Sequence, residues 1–319
     1  MTRIVQITHT GGPDRLELTE APLPPPGPGE IRVRHLAIGL NFVDVYQRAG
    51  LYPLALPAVL GIEAAAVVET LGAGVDDLAV GDRVAYAGEV GAYAEARNLP
   101  AWRALRIPTA LSDAAAATLL ARGITAHMLQ TEVFPVGAET TALIHSAAGG
   151  LGSLLVRWAK LRGATVIATV GSAAKAAIAT ASGADHVIVG RNADFEAEVR
   201  RLTSGRGVDV AYDGVGGATL AKTLGCVRPF GTVASIGESG GPIPPIHVED
   251  LGPRRSIALA RPSVMRYMAD RQRYQRAAAE VISTSIAPLP GRRYALADAA
   301  QAHRDLEAGT TTGSAYLVP

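Results

Sequence analysis

Cysteine is nearly missing from this chain. Cys226 is the single one among 319 residues, so no intrachain disulfide can form and no cysteine-rich zinc site can be built. An excess of charge of either sign is missing too. Thirty basic and 29 acidic side chains leave a formal net charge of +1, which gives no electrostatic reason for nucleic acid or an anionic membrane to be the main partner. Arg266, Arg271, Arg273 and Arg276 form a local basic stretch, but Asp270 and Glu280 interrupt it, as on a solvated helix face. No uninterrupted apolar run approaches the ~18 residues of a membrane helix, and Met1–Gln6 has no signal-peptide core. These absences predict a soluble, cytoplasmic protein. Cys226 reads as a core residue with no chemistry.

What is present is glycine, 35 residues of it, in a hydrophobic background of 48%. The most telling cluster is Ala147–Gly152. Before it, Thr141–His145 is a short apolar run of the kind a buried parallel strand uses. After it, Leu151, Leu154, Leu155 and Trp158 recur at i, i+3, i+4 and i+7, one face of a helix. A glycine turn between strand and helix lets the backbone approach a pyrophosphate, which the helix N–H groups and dipole then hold. The full pattern is GxGxxG. Here Ala147 replaces the first glycine, while Gly149 and Gly152 keep the register.

Four more strand-like runs come next: Ala164–Val170, His186–Val189, Val208–Asp213 and Gly231–Ile236. Helical stretches such as Ala173–Ala181 and Ala193–Leu202 separate most of them. This alternation predicts an α/β Rossmann domain, a doubly wound parallel sheet with its ligand at the carboxyl ends of the strands. An NAD site places Asp or Glu at the end of the second strand, about 20 residues beyond the glycines, for the ribose 2′-OH. No acid stands there. Gly171, Ser172 and Lys175 do, which suits a 2′-phosphate and predicts NADPH, with Arg191 assisting. The alternative for Lys175 alone is an ordinary solvated helix lysine.

The first hundred residues differ. Short strands such as Ile31–Ala37, Ala64–Leu71 and Arg83–Ala87 lie between proline and glycine clusters, densest at Ala21–Gly29, and predict a mostly β domain. A helix over Asp113–Gln130 leads into the second domain. The tail has an amphipathic segment (Leu296, Ala300, His303, Leu306) and a closing strand, Ala315–Val318, expected to return to the N-terminal domain. The expected boundaries are 1–120 for the β domain, 121–260 for the dinucleotide domain and 261–319 for the return.

Asn41–Pro53 and Gly61-Ile62-Glu63, with Gly81–Val84, Gly91–Glu95, the glycine loop, Arg261–Ser263 and Gly313-Ser314, resemble the zinc-free, zeta-crystallin-like quinone oxidoreductases of the medium-chain dehydrogenase/reductase superfamily. The resemblance spans essentially the whole chain. It implies a GroES-like β domain plus a Rossmann domain, an active site in the cleft between them, NADPH as cofactor and commonly a homodimer. It also implies that Asn41, Asp44 and Tyr46 line the nicotinamide end and Tyr52 sits near the acceptor. Cofactor contacts would come from Asn41, Thr125, Ala148, Gly149, Gly150, Leu151, Gly171, Ser172, Lys175, Arg191, Ile236, Gly237, Arg261, Ser263 and Ser314. For Tyr46 and Tyr52 the alternative is half-buried packing.

Zinc relatives carry Cys near position 41 and His within a Gly-His-Glu triplet. Isoleucine at 62 cannot bind metal, the seven histidines are scattered, and a catalytic zinc needs three protein ligands, so no metal is expected. A quinone suits such a site, because the hydroquinone anion is stabilised over its ring and water can supply the proton. Holding and desolvating the reactants then does most of the work. Tyr46 could donate to a quinone oxygen. The chain departs from its relatives at Gly190, where many have Tyr, at Glu238, where Asn is usual, and at Thr312, near which a basic residue is common. Glu238 would add negative charge beside the cofactor. Two other readings stand beside quinone reduction: an enoyl or alkenal C=C reductase on the same scaffold, and a cofactor-bound structural or RNA-binding protein.

Overall fold

Alternating burial is what the first hundred residues enforce on the chain. The strand Glu30–Gly39 buries Ile31, Val33, His35 and Ala37 on alternate positions and so must pack one face inward. The computed structural model describes residues 1–284 and 286–319, and among these it falls into two compact units, Met1–Ile124 with Val264–Pro319, and Thr125–Ser263.

In the first unit, Glu30–Gly39 pairs antiparallel with Glu63–Leu71, which pairs in turn with Arg83–Ala87. Ser314–Val318 lies on the other side of Glu30–Gly39, with Leu317 opposite Ile38. The closing strand therefore completes a sheet of seven strands. Its core gathers Ile31, Val33, Ile38, Val68, Val84, Tyr86, Tyr93 and Leu317. Two helices join this sheet near its glycine-rich turns. Helix α1 (Phe42–Ala49) starts directly after the long strand and ends at Gly50, whose φ of 85° stops it. Helix α2 spans Asp113–Met128 and continues as a π turn over Leu129–Val133.

The second unit is built on a six-stranded sheet in which every pairing is parallel. Its spatial order is His186–Val189, Thr165–Val170, Thr141–Ile144, Val208–Asp213, Val227–Ser235, Ala258–Ala260. In chain order that is 3-2-1-4-5-6, with the reversal between the first and fourth strands, where such sheets bind dinucleotides. All six residues of Val208–Asp213 are buried, as a central strand covered on both faces requires. Helices α3 (Gly150–Leu161), α4 (Ala173–Ala181), α5 (Phe195–Leu202) and α6 (Gly217–Cys226) make the connections. The fifth strand begins at Val227, earlier than expected, and Ala258–Ala260 is a strand the sequence did not announce.

Candidate active site

Asn41 is the cap residue of α1, held extended at φ −128° and ψ 155°. Its backbone N–H donates to Asp44 Oδ2 at 2.8 Å and its side-chain amide donates to Glu63 Oε1 at 2.9 Å. Two of the positions named from the sequence, 41 and 44, thus form the reciprocal start of one helix. Glu63, fully buried, also accepts from Arg122 Nη1 and from the backbone N–H of Ala121, both at 2.9 Å. Burial pushes the Glu63 carboxyl upward, and the Arg122 guanidinium, the Asn41 amide and the Ala121 N–H pull it back. Arg122 reaches the Leu40 carbonyl with its other nitrogen, so one guanidinium ties Glu63 to the residue before the cap.

Among the described residues, Asp44 has no cation hydrogen-bonded to it. Its Oδ2 accepts from Asn41 and, at 3.1 Å, from the Tyr93 hydroxyl, while Oδ1 is buried with no hydrogen-bond partner among the described residues. Burial raises its pKa to about 7, against the lowering effect of the Asn41 N–H and the Tyr93 hydroxyl. A proton arriving on Asp44 has Oδ1 open to it. Tyr93 reaches this place because residue 61 is glycine: a Cβ there would lie 2.3 Å from the Tyr93 ring. Sequence reading does not single out Tyr93, although it sits inside the Gly91–Glu95 motif.

Tyr46 and Tyr52 come together as well. Their rings meet edge to face at 5.2 Å, and the Tyr52 N–H donates to the Tyr46 carbonyl at 3.1 Å. Tyr46 is buried and Tyr52 half-buried, so both readings of the pair, packing and acceptor contact, have a physical basis. Ser314 in the closing strand is buried, with Oγ lacking a partner among the described residues.

In the second unit the glycine loop has the geometry its register demands. Gly149 caps α3, and Gly150, Leu151 and Gly152 supply first-turn N–H groups that a helix cannot satisfy internally. A Cβ on Gly152 would lie 2.2 Å from the Ser146 carbonyl oxygen, so the third glycine serves helix–strand packing. Ala147 and Ala148 are buried; the conformational demand of the turn falls on Ser146, at φ 52°. Ser172 caps α4 without using its side chain, and Gly171 lies against Arg191, 3.5 Å from an ideal Cβ to Cγ. Lys175 is half-buried in the first turn of α4. This set of N–H groups, hydroxyl and cations, with no carboxylate at positions 171–175, fits a dinucleotide bearing a 2′-phosphate.

Beside it, Asp213 shapes the loop after the fourth strand. Its Oδ1 accepts from the N–H groups of Val215 and Gly216, both at 2.9 Å, and its Oδ2 from Thr223 at 2.8 Å. Ile236 donates its N–H to the Asp213 carbonyl. Arg261 donates to Ser235 Oγ at 2.8 Å and pairs with Glu238 at 3.0 Å. The added acid at Glu238 is thus paired with the Arg261 guanidinium. Gly237 lies between, its carbonyl 3.5 Å from Arg261. Thr125 stands in α2 and Ser263 is exposed at the end of the unit.

Among the described residues no group of three or more His, Cys, Asp or Glu could hold a metal ion. At the triplet 61–63 the donor set itself is unsuited, since Ile62 offers no donor and the Glu63 carboxylate is committed to three hydrogen-bond donors.

Residues 27–109 match the alcohol dehydrogenase GroES-like domain and residues 150–283 the zinc-binding dehydrogenase domain. The chain is 40% identical to a 2-haloacrylate reductase from a Burkholderia species, over 100% of this chain and 99% of the relative. It is 39% identical to a quinone oxidoreductase of Salmonella typhimurium, again over 100% and 99%. The solved structure of Escherichia coli quinone oxidoreductase complexed with NADPH superposes with a TM-score of 0.91 at 36% identity, covering 100% of both chains. Full-length likeness, the GroES-like sheet and the 3-2-1-4-5-6 parallel sheet together place this chain in the medium-chain dehydrogenase/reductase superfamily, among its quinone oxidoreductases.

Proposed function

We propose that the protein is an NADPH:quinone oxidoreductase that works without metal. The observation that carries this reading is the acid-free end of the second parallel strand, where Ser172, Lys175 and Arg191 come after a glycine loop that caps α3. Full-length similarity to quinone oxidoreductases, one of them solved with NADPH, supports it.

NADPH, when bound, supplies the hydride. The first-turn N–H groups of α3 hold its pyrophosphate, and Ser172, Lys175 and Arg191 hold its 2′-phosphate. Arg261, Ile236, Gly237, Thr125, Ser263 and Ser314 add cofactor contacts; the Ser314 Oγ, which has no partner among the described residues, supports its assignment. Asn41, Asp44 and Tyr46 line the nicotinamide end and Tyr52 sits near the acceptor. Tyr46 donates to the quinone oxygen, and Asn41 is oriented for its task by Glu63. We further propose a cytoplasmic homodimer. No helix among the described residues is long and apolar enough to cross a membrane.

A second reading has its own support. The Burkholderia relative at 40% identity is a 2-haloacrylate reductase, so reduction of an activated C=C bond is the competing activity. Carbanion formation next to a carbonyl asks for a proton donor, which Tyr46 would provide. Steady-state NADPH oxidation with 1,4-benzoquinone, set against 2-alkenal and 2-haloacrylate, separates the two. We expect faster turnover of the quinone; faster turnover of the alkenal or haloacrylate reverses the order.

A further inference from the structure

Behind Asp44 runs a buried hydrogen-bond chain whose direction is fixed by its far end. Arg48, in the last turn of α1, is 2% exposed and reaches Glu307 with both terminal nitrogens, at 2.9 and 2.8 Å, and the Gly11 carbonyl with Nε at 2.9 Å. The same guanidinium lies 3.2 Å from Nδ1 of His303, which belongs to the helix Ala299–Glu307. A guanidinium can only donate. Nδ1 must therefore accept, and a neutral imidazole then carries its proton on Nε2. Burial and the neighbouring Arg48 keep the ring neutral, lowering its pKa to about 3.

Nε2 stands 3.0 Å from the Tyr93 hydroxyl. Because Nε2–H can only donate, the phenol oxygen accepts from it, and the single phenolic proton goes to Asp44 Oδ2 at 3.1 Å. The sense of the chain is thus Arg48 to His303 to Tyr93 to Asp44, where the Asn41 N–H arrives from the other side. It is not a route for protons. Its first member does not release one, and passing one from His303 towards Asp44 would leave an imidazolate.

We propose that His303 is a positioning residue for the acceptor side: through Tyr93 it holds the Asp44 carboxylate against the cap of α1 and so places Asn41 and Tyr46. The inference rests on the proposed assignment of Asn41, Asp44 and Tyr46 to the site of hydride transfer. Nothing in the sequence points to it, since residue 303 lies 259 positions after Asp44 and reads only as part of an amphipathic stretch. The groups that bear on Asp44 are Tyr93, Glu63 and Arg122, with Arg48 and His303 beyond Tyr93.

The test compares His303→Leu, which keeps bulk without a donor, with His303→Gln, whose amide restores an N–H near Nε2, and with Tyr93→Phe. Three quantities are read on the full chain: amide exchange over Asn41–Asp44, the midpoint of Asp44 by carboxyl 13C NMR, and quinone turnover. We expect His303→Leu and Tyr93→Phe to speed exchange by about tenfold or more, the scale of one hydrogen bond to a charged group. Both should raise the Asp44 midpoint and lower kcat with quinone. His303→Gln should recover most of each.

Unchanged exchange and midpoint in His303→Leu overturn the proposal. So does a Leu variant that shifts both yet turns over quinone normally, because the chain would then hold α1 without serving the reaction. If no acceptor supports NADPH oxidation by the wild-type protein, the functional reading fails instead, and the exchange and NMR arms, which need neither cofactor nor quinone, report on the chain by themselves.

Discussion

Glu63 is the residue on which the start of α1 turns. A carboxylate with 1% exposure is tolerable only while Arg122, Asn41 and the Ala121 N–H all face it. Breaking a buried ion pair by removing one partner costs about 3–5 kcal/mol. Arg122→Leu is therefore expected to lower unfolding free energy by that order in urea titration, and Glu63→Gln, which leaves the buried Arg122 without a counterion, should destabilise as well. At the cofactor end, Lys175→Ala should weaken NADPH by about 10- to 150-fold, the worth of a charged hydrogen bond, and leave NADH nearly unchanged. Equal losses for both nucleotides would remove Lys175 from the 2′-phosphate site. Lys175 is legible from the sequence because an acid is missing there. Tyr93 and His303 are not, because their importance arises from residues 44, 93 and 303 meeting in space.

At the scale of the element, α1 is a helix of eight residues whose beginning depends on a titrating group. The folded Asp44 titrates at about 7, above the ~3.9 of an unfolded aspartate. Between those values the folded chain holds the extra proton, so this group makes stability fall as pH rises from about 4 to 7. His303 and His35 act in the opposite sense. Burial lowers them to about 3 and about 4, below the ~6.5 of an unfolded histidine. The unfolded chain then takes the protons first, and stability falls as pH drops below about 6.5. Thermal unfolding across pH 3–8 checks both: Asp44→Asn should flatten the loss between 4 and 7, and His303→Gln should shift acid unfolding to lower pH.

Strands differ in how far pattern reveals them. Thr165–Val170, His186–Val189 and Val208–Asp213 are short runs rich in Val, Ile and Ala with turn residues near their ends, and they form where the runs stand. The fifth strand reads as starting at Gly231, past the breaker Pro229, yet Val227–Ser235 runs through both. Phe230 takes φ 61° there, and the ladder with Val208–Asp213 shifts register between Val208 and Val210. Ala258–Ala260 spans three residues, too few for any periodicity to show, and is a strand because Thr232, Val233 and Ala234 offer it a ladder.

For the molecule as a whole, the proposed cofactor and the donor set at positions 61–63 call for two measurements. NADPH at one hundred times its dissociation constant should add about 2.7 kcal/mol to the folded state, read as a rise in Tm that NADH at equal concentration does not match. Prolonged treatment with EDTA should leave NADPH oxidation with quinone unaltered; loss of activity that zinc restores would overturn the metal-free reading.

Connectivity has a further consequence for how the protein is made. Residues 30–39 find one of their sheet neighbours in residues 314–318, whereas residues 125–263 form a unit with its own parallel sheet. A ribosome delivers the chain from its first residue, and domains usually fold in that order. Here the order is inverted: the nucleotide-binding half can close while the earlier half still waits for its closing strand. Until residues 314–318 emerge, Ile38 and Gly39 lack their partner on that side, while Ala96–Pro100 already covers Glu30–Arg34, so the uncovered end of the strand can pair with another nascent chain and chaperone demand should concentrate in this interval.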